Sequence, residues 1–206
     1  MNLKFYELPP DKQSRIIQAG LIAFSKNGFK QCPTLEIANA ANISKSLLFH
    51  YFHNKKELYL FLWKQCVQII NTYLDTYFCF DATDLITLFT QWKLARAQLL
   101  KEHPEITGFV LNAFCEKDEF LSSEIYKIYQ QDFKWKLLNT FKKIRPDTLK
   151  SGINVETMHL EMHWAFIGYL WETSQIQNLD PQSSYEVFLR LVDFWTLIYV
   201  NHDNEL

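Results

Sequence analysis

Residues 34–58 read TLEIANAANISKSLLFHYFHNKKEL, and the side-chain order in this stretch decides the fold. Ile37, Ala38 and Ala41 share one face of a short helix expected from about Pro33 to Ala41. Pro33 suits a first turn, where its missing N–H has no partner anyway. Asn42-Ile43 makes the turn, because asparagine tolerates the left-handed backbone better than most residues. Ser44 is placed to cap a third helix through its hydroxyl, and Asn54, with Glu57 three residues on, to cap a fourth. Ala38, Ala41, Ile43, Leu48 and Phe52 form the inward faces, and the small alanines let the second and third helices approach closely. Beside the capping Ser44, that leaves Lys45, Ser46, Leu47, Phe49 and His50 on or near the outer side of the third helix. An α-helix fits the major groove of DNA and meets base edges with its N-terminal residues. Tyr51, Lys55 and Lys56 follow where phosphates would lie, and Thr34 opens the preceding helix at another phosphate-facing position.

Working outward, residues 10–27 place Ile16, Ala19, Ala23 and Phe24 in one apolar stripe, and Gly28 supplies the stop. A long fourth helix is expected over about 55–78, then helices near 83–102, 104–116, 119–144, 154–176 and 182–201. Their breaks are His103-Pro104, Glu116-Lys117-Asp118, the loop with Pro146 and Gly152, and Asp180-Pro181. No alternating strand pattern appears, so the fold class is all-α. With 206 residues and 48% hydrophobic composition the chain can bury a real core. Charge is uneven: residues 1–60 hold eight Lys and Arg against four Asp and Glu, and the remainder 13 against 19. A basic head on an acidic body suits a polyanion-binding module whose body must stay off the polyanion. No apolar run long enough for a membrane span and no leader are found, so a soluble, cytoplasmic protein without membrane association is expected. Cys32, Cys66, Cys79 and Cys115 lie far apart, as buried or half-buried reduced thiols would.

The pattern Ile16-x-x-Ala19, Ala23-Phe24, Gly28, Ile37-Ala38-x-x-Ala41, Ser44-Lys45, Leu48-Phe49-x-Tyr51-Phe52, Lys55 and Leu58 resembles the N-terminal domain of the TetR/AcrR family of bacterial transcriptional regulators. The resemblance covers about residues 12–60; beyond it only length and helical character agree. Four positions depart from the family's plan. Cys32-Pro33 stands where a Thr-Thr pair is usual, which moves the expected contact to Thr34. Asn42 replaces the turn glycine, Ser46 a glycine of the recognition helix, and Phe49 a tyrosine, so that a phosphate hydrogen bond is lost.

The resemblance implies a three-helix helix-turn-helix domain over residues 1–55 and a helical effector-binding and dimerisation domain over 56–206. It also implies a dimeric repressor on a palindromic double-stranded DNA operator, released by a small molecule. Aromatic residues of the middle helices are the candidates for a cavity that takes a lipophilic or aromatic effector: Trp63, Tyr73, Tyr77, Phe89, Trp92, Phe109, Phe114, Tyr126, Tyr129 and Phe133. Core filling is the competing role for each of them. The last two helices are apolar nearly all round, so each must be buried on more than one side. Met162, Phe166, Tyr169, Phe188, Trp195 and Tyr199 are the candidates for an interface with a twin subunit. His159 and His163 share a helix face, but Leu160-Glu161-Met162 between them does not make a metalloprotease motif and no third ligand is near. No metal, cofactor or catalytic residue is therefore expected. The alternative function is a helical ligand- or lipid-binding protein with a degenerate DNA head.

Overall fold

The chain forms ten α-helices among the residues that the computed structural model describes, 2–131, 135–175 and 180–201. They are α1 (Pro10–Gln31), α2 (Thr34–Ala40), α3 (Lys45–Phe52), α4 (Lys55–Tyr77), α5 (Leu85–Glu102), α6 (Pro104–Phe114), α7 (Glu119–Tyr129), α8 (Trp135–Phe141), α9 (Val155–Gln175) and α10 (Pro181–Tyr199). The chain forms two compact units. The first comprises Met1–Gln68 with His103–Ile128, and the second Ile69–Glu102 with Tyr129–Leu206. Among the described residues no helix is long and apolar enough to cross a membrane.

In the first unit, α1 buries the expected Ile16, Ala19, Ala23 and Phe24. Gly20 lies on the same buried face: a Cβ there would meet Leu62 Cδ1 at 2.7 Å, so glycine permits the close approach of α1 and α4. The helix is interrupted at Gly28, whose φ of 63° and ψ of −178° suit glycine almost alone. Gly28→Ala should cost about 1–3 kcal/mol in urea unfolding; unchanged stability would show that the interruption carries no strain. Further along the same face, Phe109 of α6 meets Tyr59 of α4 at 4.8 Å and Phe24 at 6.3 Å between ring centroids. Asn112 Nδ2 ties α6 to α1 by donating to the Ser25 carbonyl at 2.8 Å.

The second unit has its core among Leu85, Leu88 and Phe89 of α5, Phe141 of α8, Met158 and Met162 of α9, and Phe188, Val192 and Trp195 of α10, all buried. A single antiparallel bridge joins Leu149 to Val200, flanked by bonds from Lys150 N to the Tyr199 carbonyl and from Asn201 N to that of Thr148. Of the helix expected over 119–144, the described residues show α7, a π-type turn at residues 130–131, and α8, which ends at Phe141 rather than residue 144. Beyond α8, Lys143 N and Ile144 N bond the carbonyls of Thr140 and Phe141, a tight turn that buries Ile144. Cys32 and Cys66 are buried and Cys115 half-buried, but Cys79 is exposed in the segment after α4, contrary to expectation.

Candidate nucleic-acid interface

The turn between α2 and α3 is made as its residue types require. Asn42 takes φ 55°, and Ile43 N bonds the Ala38 carbonyl at 2.9 Å. Ser44 then caps α3, its Oγ accepting from Leu47 N at 3.1 Å, and meets the Ser46 hydroxyl at 3.0 Å. Ile37, Ala38, Ala41, Leu48 and Phe52 are buried and Ile43 is half-buried, so the inward face is the one expected. Asn54 caps α4 by accepting from Glu57 N at 2.9 Å. One Glu57 oxygen meets His53 Nδ1 at 2.9 Å, so the reciprocal box is altered by the histidine.

The outer face of α3 presents Ser44, Lys45, Ser46 and His50 as exposed residues, with Leu47 and Phe49 half-buried. Lys45 Nζ stands 5.9 Å from the centroid of the Phe49 ring, which supports the lysine stem from below. Thr34, at the start of α2, is half-buried. Lys55 Nζ lies 4.9 Å from the Phe29 centroid and donates to the Lys30 carbonyl at 3.3 Å, a loose tether at the edge of the same unit.

Two expected contacts sit differently. Tyr51 is only 5% exposed: Phe5, itself fully buried, approaches its ring edge-on with centroids 6.0 Å apart. Lys56 is half-buried and committed, its Nζ 2.8 Å from Asp118 Oδ2 and 5.5 Å from the Phe120 centroid. Its ammonium holds the Asp118 carboxyl below the usual carboxylate range. The N-terminal segment that displaces Tyr51 went unforeseen. Leu3–Phe5 form a 3₁₀ turn capped by Asn2, whose N–H donates to the Tyr51 carbonyl at 2.7 Å. Asn2 Nδ2 also lies 3.4 Å from His50 Nε2. The signal for it was Phe5, a large apolar residue ahead of the first periodic stripe.

The aromatic candidates of the body divide between the units. Trp63, Phe109, Phe114 and Tyr126 belong to the first, where Trp63 and Phe109 are buried, Phe114 meets Trp63 edge-on at 5.6 Å and Tyr126 is exposed. Tyr73, Tyr77, Phe89, Trp92 and Tyr129 belong to the second. There Tyr73 stacks on Tyr77, and desolvation together with the Glu102 carboxylate it donates to pushes its hydroxyl up to about 12. Phe89 is buried against Trp195, and Trp92 meets Phe188 edge-on at 5.2 Å. Phe133 lies outside the described residues. His163 stacks on Tyr129 and His159 packs on Phe141, which sends the two imidazoles to different aromatic partners.

Of the interface candidates, Met162, Phe188 and Trp195 are at most 3% exposed and pack in the core of their own unit. Phe166, Tyr169 and Tyr199 are half-buried, and the Tyr199 hydroxyl donates to Glu161 at 3.0 Å. The exposed apolar residues of α9 and α10 are instead Leu160, Trp164, Trp171, Phe194 and Leu197. Periodicity does not single them out, because both helices are apolar on nearly every side.

Comparison with known proteins agrees with this geometry. Residues 16–61 match the family model for bacterial regulatory proteins of the tetR family. No curated protein matches the chain by sequence. Among solved structures, a TetR-family transcriptional regulator from Chloroflexus aurantiacus is similar with a TM-score of 0.64 at 18% identity, covering 98% of this chain and 99% of its own. SmeT, the repressor of the Stenotrophomonas maltophilia efflux pump SmeDEF, gives 0.62 at 13% identity over 94% of each chain. FadR from Bacillus subtilis, solved with stearoyl-CoA, gives 0.57 at 18% identity, covering 87% of this chain and 96% of its own. The helix-turn-helix segment thus matches the model of the tetR family of bacterial regulatory proteins, and the chain shares its fold with TetR-family transcriptional regulators across nearly the whole length.

Proposed function

We propose that this regulator is a homodimeric repressor that holds a palindromic operator and is released by a small lipophilic or aromatic effector. Residues 1–55 read the DNA, and residues 56–206 carry the effector site and the dimer interface. The observation that carries this reading is the capped N-terminus of α3, with Lys45, Ser46 and His50 exposed and Leu47 and Phe49 beside them. Thr34 and Lys55 flank that face for phosphate contacts. Tyr51 and Lys56 are left out of the direct contacts because one is buried and the other paired. For the dimer, Trp164 and Trp171 of α9, each more than 60% exposed, stand seven residues apart, a spacing that keeps both on one helix face. With Phe194 and Leu197 they offer an apolar surface that a second copy would cover. SmeT is a repressor and the B. subtilis FadR holds stearoyl-CoA, which supports repression and a lipophilic ligand here.

Two recognition helices must stand about 34–36 Å apart to enter successive major grooves. α4 contributes residues to both units, so an effector that shifts it would change that separation. The effector acts only through its preference for the releasing shape. Selection of bound duplexes followed by footprinting tests the reading. The expected operator is a palindrome whose half-sites lie about 10–10.5 base pairs apart, or a multiple of that. No enriched sequence, with lipophilic probes still bound, would favour a ligand-binding protein with a degenerate head.

A further inference from the structure

The second unit holds a half-buried cation that has no counterion among the described residues. Arg96 of α5 directs its guanidinium between two rings of the terminal helices, 4.4 Å from the Phe188 centroid and 4.8 Å from that of Phe166. Part of the residue remains solvent-exposed, but desolvation around the charged end pushes its pKa down to about 10, so it is still a cation at neutral pH. Tyr185, which acts on Arg96 electrostatically, donates its hydroxyl hydrogen to the Lys93 carbonyl at 3.2 Å. Lys93 itself is paired with Asp193. No carboxylate or carbonyl accepts from Arg96 among the described residues. The faces of two aromatic rings return only part of what desolvating a charge costs. A side chain in that position is set to receive an anion.

We propose that Arg96 anchors a binding site in the second unit for a monocarboxylate with a lipophilic body, the carboxylate meeting the guanidinium and the body lying against the half-buried Phe166 and Trp92. The planar guanidinium fork matches two carboxylate oxygens, and a single uncommitted cation balances one negative charge, not the two of a phosphate monoester. Trp92, in edge contact with Phe188, extends the apolar surface beyond the charge. The inference rests on the reading of the body as an effector domain and narrows it to a charge class.

The test uses the full-length protein and two matched probe pairs, decanoate with decanol and 2-naphthoate with 2-naphthylmethanol, titrated by tryptophan fluorescence and calorimetry. In at least one pair the carboxylate should bind roughly tenfold to a hundredfold more tightly than its alcohol, as a charge-assisted hydrogen bond would give. Arg96→Met should bring the carboxylate down to the affinity of the alcohol. The same variant without ligand should melt at the wild-type temperature or above, because methionine fills similar space without a desolvated charge. Equal binding within both pairs, unmoved by Arg96→Met, overturns the carboxylate assignment and leaves the effector domain standing. Failure of all four probes to bind overturns both. A lower melting temperature for unliganded Arg96→Met would make the guanidinium a structural element and overturn the assignment as well.

Discussion

Replacing Lys45 and Lys55 together with alanine should lower the affinity of the proposed dimer for its selected operator by about 10³-fold or more. The estimate takes a modest charge-assisted contact from each lysine and counts it twice for the two subunits. Lys45 is exposed at the first residue of α3, where recognition helices meet DNA, and among the described residues it lies against the Phe49 ring alone. Lys55 gives up only the 3.3 Å bond to the Lys30 carbonyl and its place over Phe29. Thermal unfolding should shift by no more than about 0.5 kcal/mol, as for other surface substitutions. The salt dependence of binding should also flatten, by roughly one unit of slope for each lysine that met a phosphate. Unchanged operator affinity would move the DNA contacts elsewhere.

Phe52→Ala should produce the opposite combination, a loss of binding through loss of the fold. Phe52 is 1% exposed and sits with ring centroids 5.1 Å from both Phe5 and Phe61. It therefore joins the N-terminal turn, α3 and α4. Truncating it removes the transfer energy of a buried ring and leaves a cavity that the rigid helices on either side fill poorly, for about 3–5 kcal/mol. That is a large share of the roughly 5–15 kcal/mol that holds a domain together. Denaturation followed by circular dichroism should show the loss directly, and operator binding should fail in parallel. A stable variant that still binds DNA would mean that the aromatic cluster is not what positions α3.

The helix-turn-helix was legible because its signals are local. Gly28, Asn42 and Ser44 each state a backbone requirement within a few residues, and the structure meets each of them there. Tyr51 was not legible, because its burial depends on Phe5, 46 positions earlier in the chain, folding back across α3. Lys56 likewise takes its partner from Asp118, on a segment that joins the first unit only through long-range packing. In α9 and α10 the difficulty is of another kind. A helix that is apolar all round gives no period to read, so Met162 and Trp164 look alike in sequence, although one is 3% and the other 64% exposed. Arg96 stayed invisible for the complementary reason. One arginine on a helix is ordinary, and only the rings of Phe166 and Phe188, brought from α9 and α10, make it a desolvated cation.

The account rests on α3 reading DNA, and the most direct measurement is the affinity of the full-length protein for its selected operator and for a scrambled duplex across a salt series. The operator should be favoured by about 10³-fold or more at physiological salt. Log affinity should fall linearly with log salt, with a slope near −0.9 for each phosphate neutralised. Equal affinity for the two duplexes, or binding indifferent to salt, would contradict it.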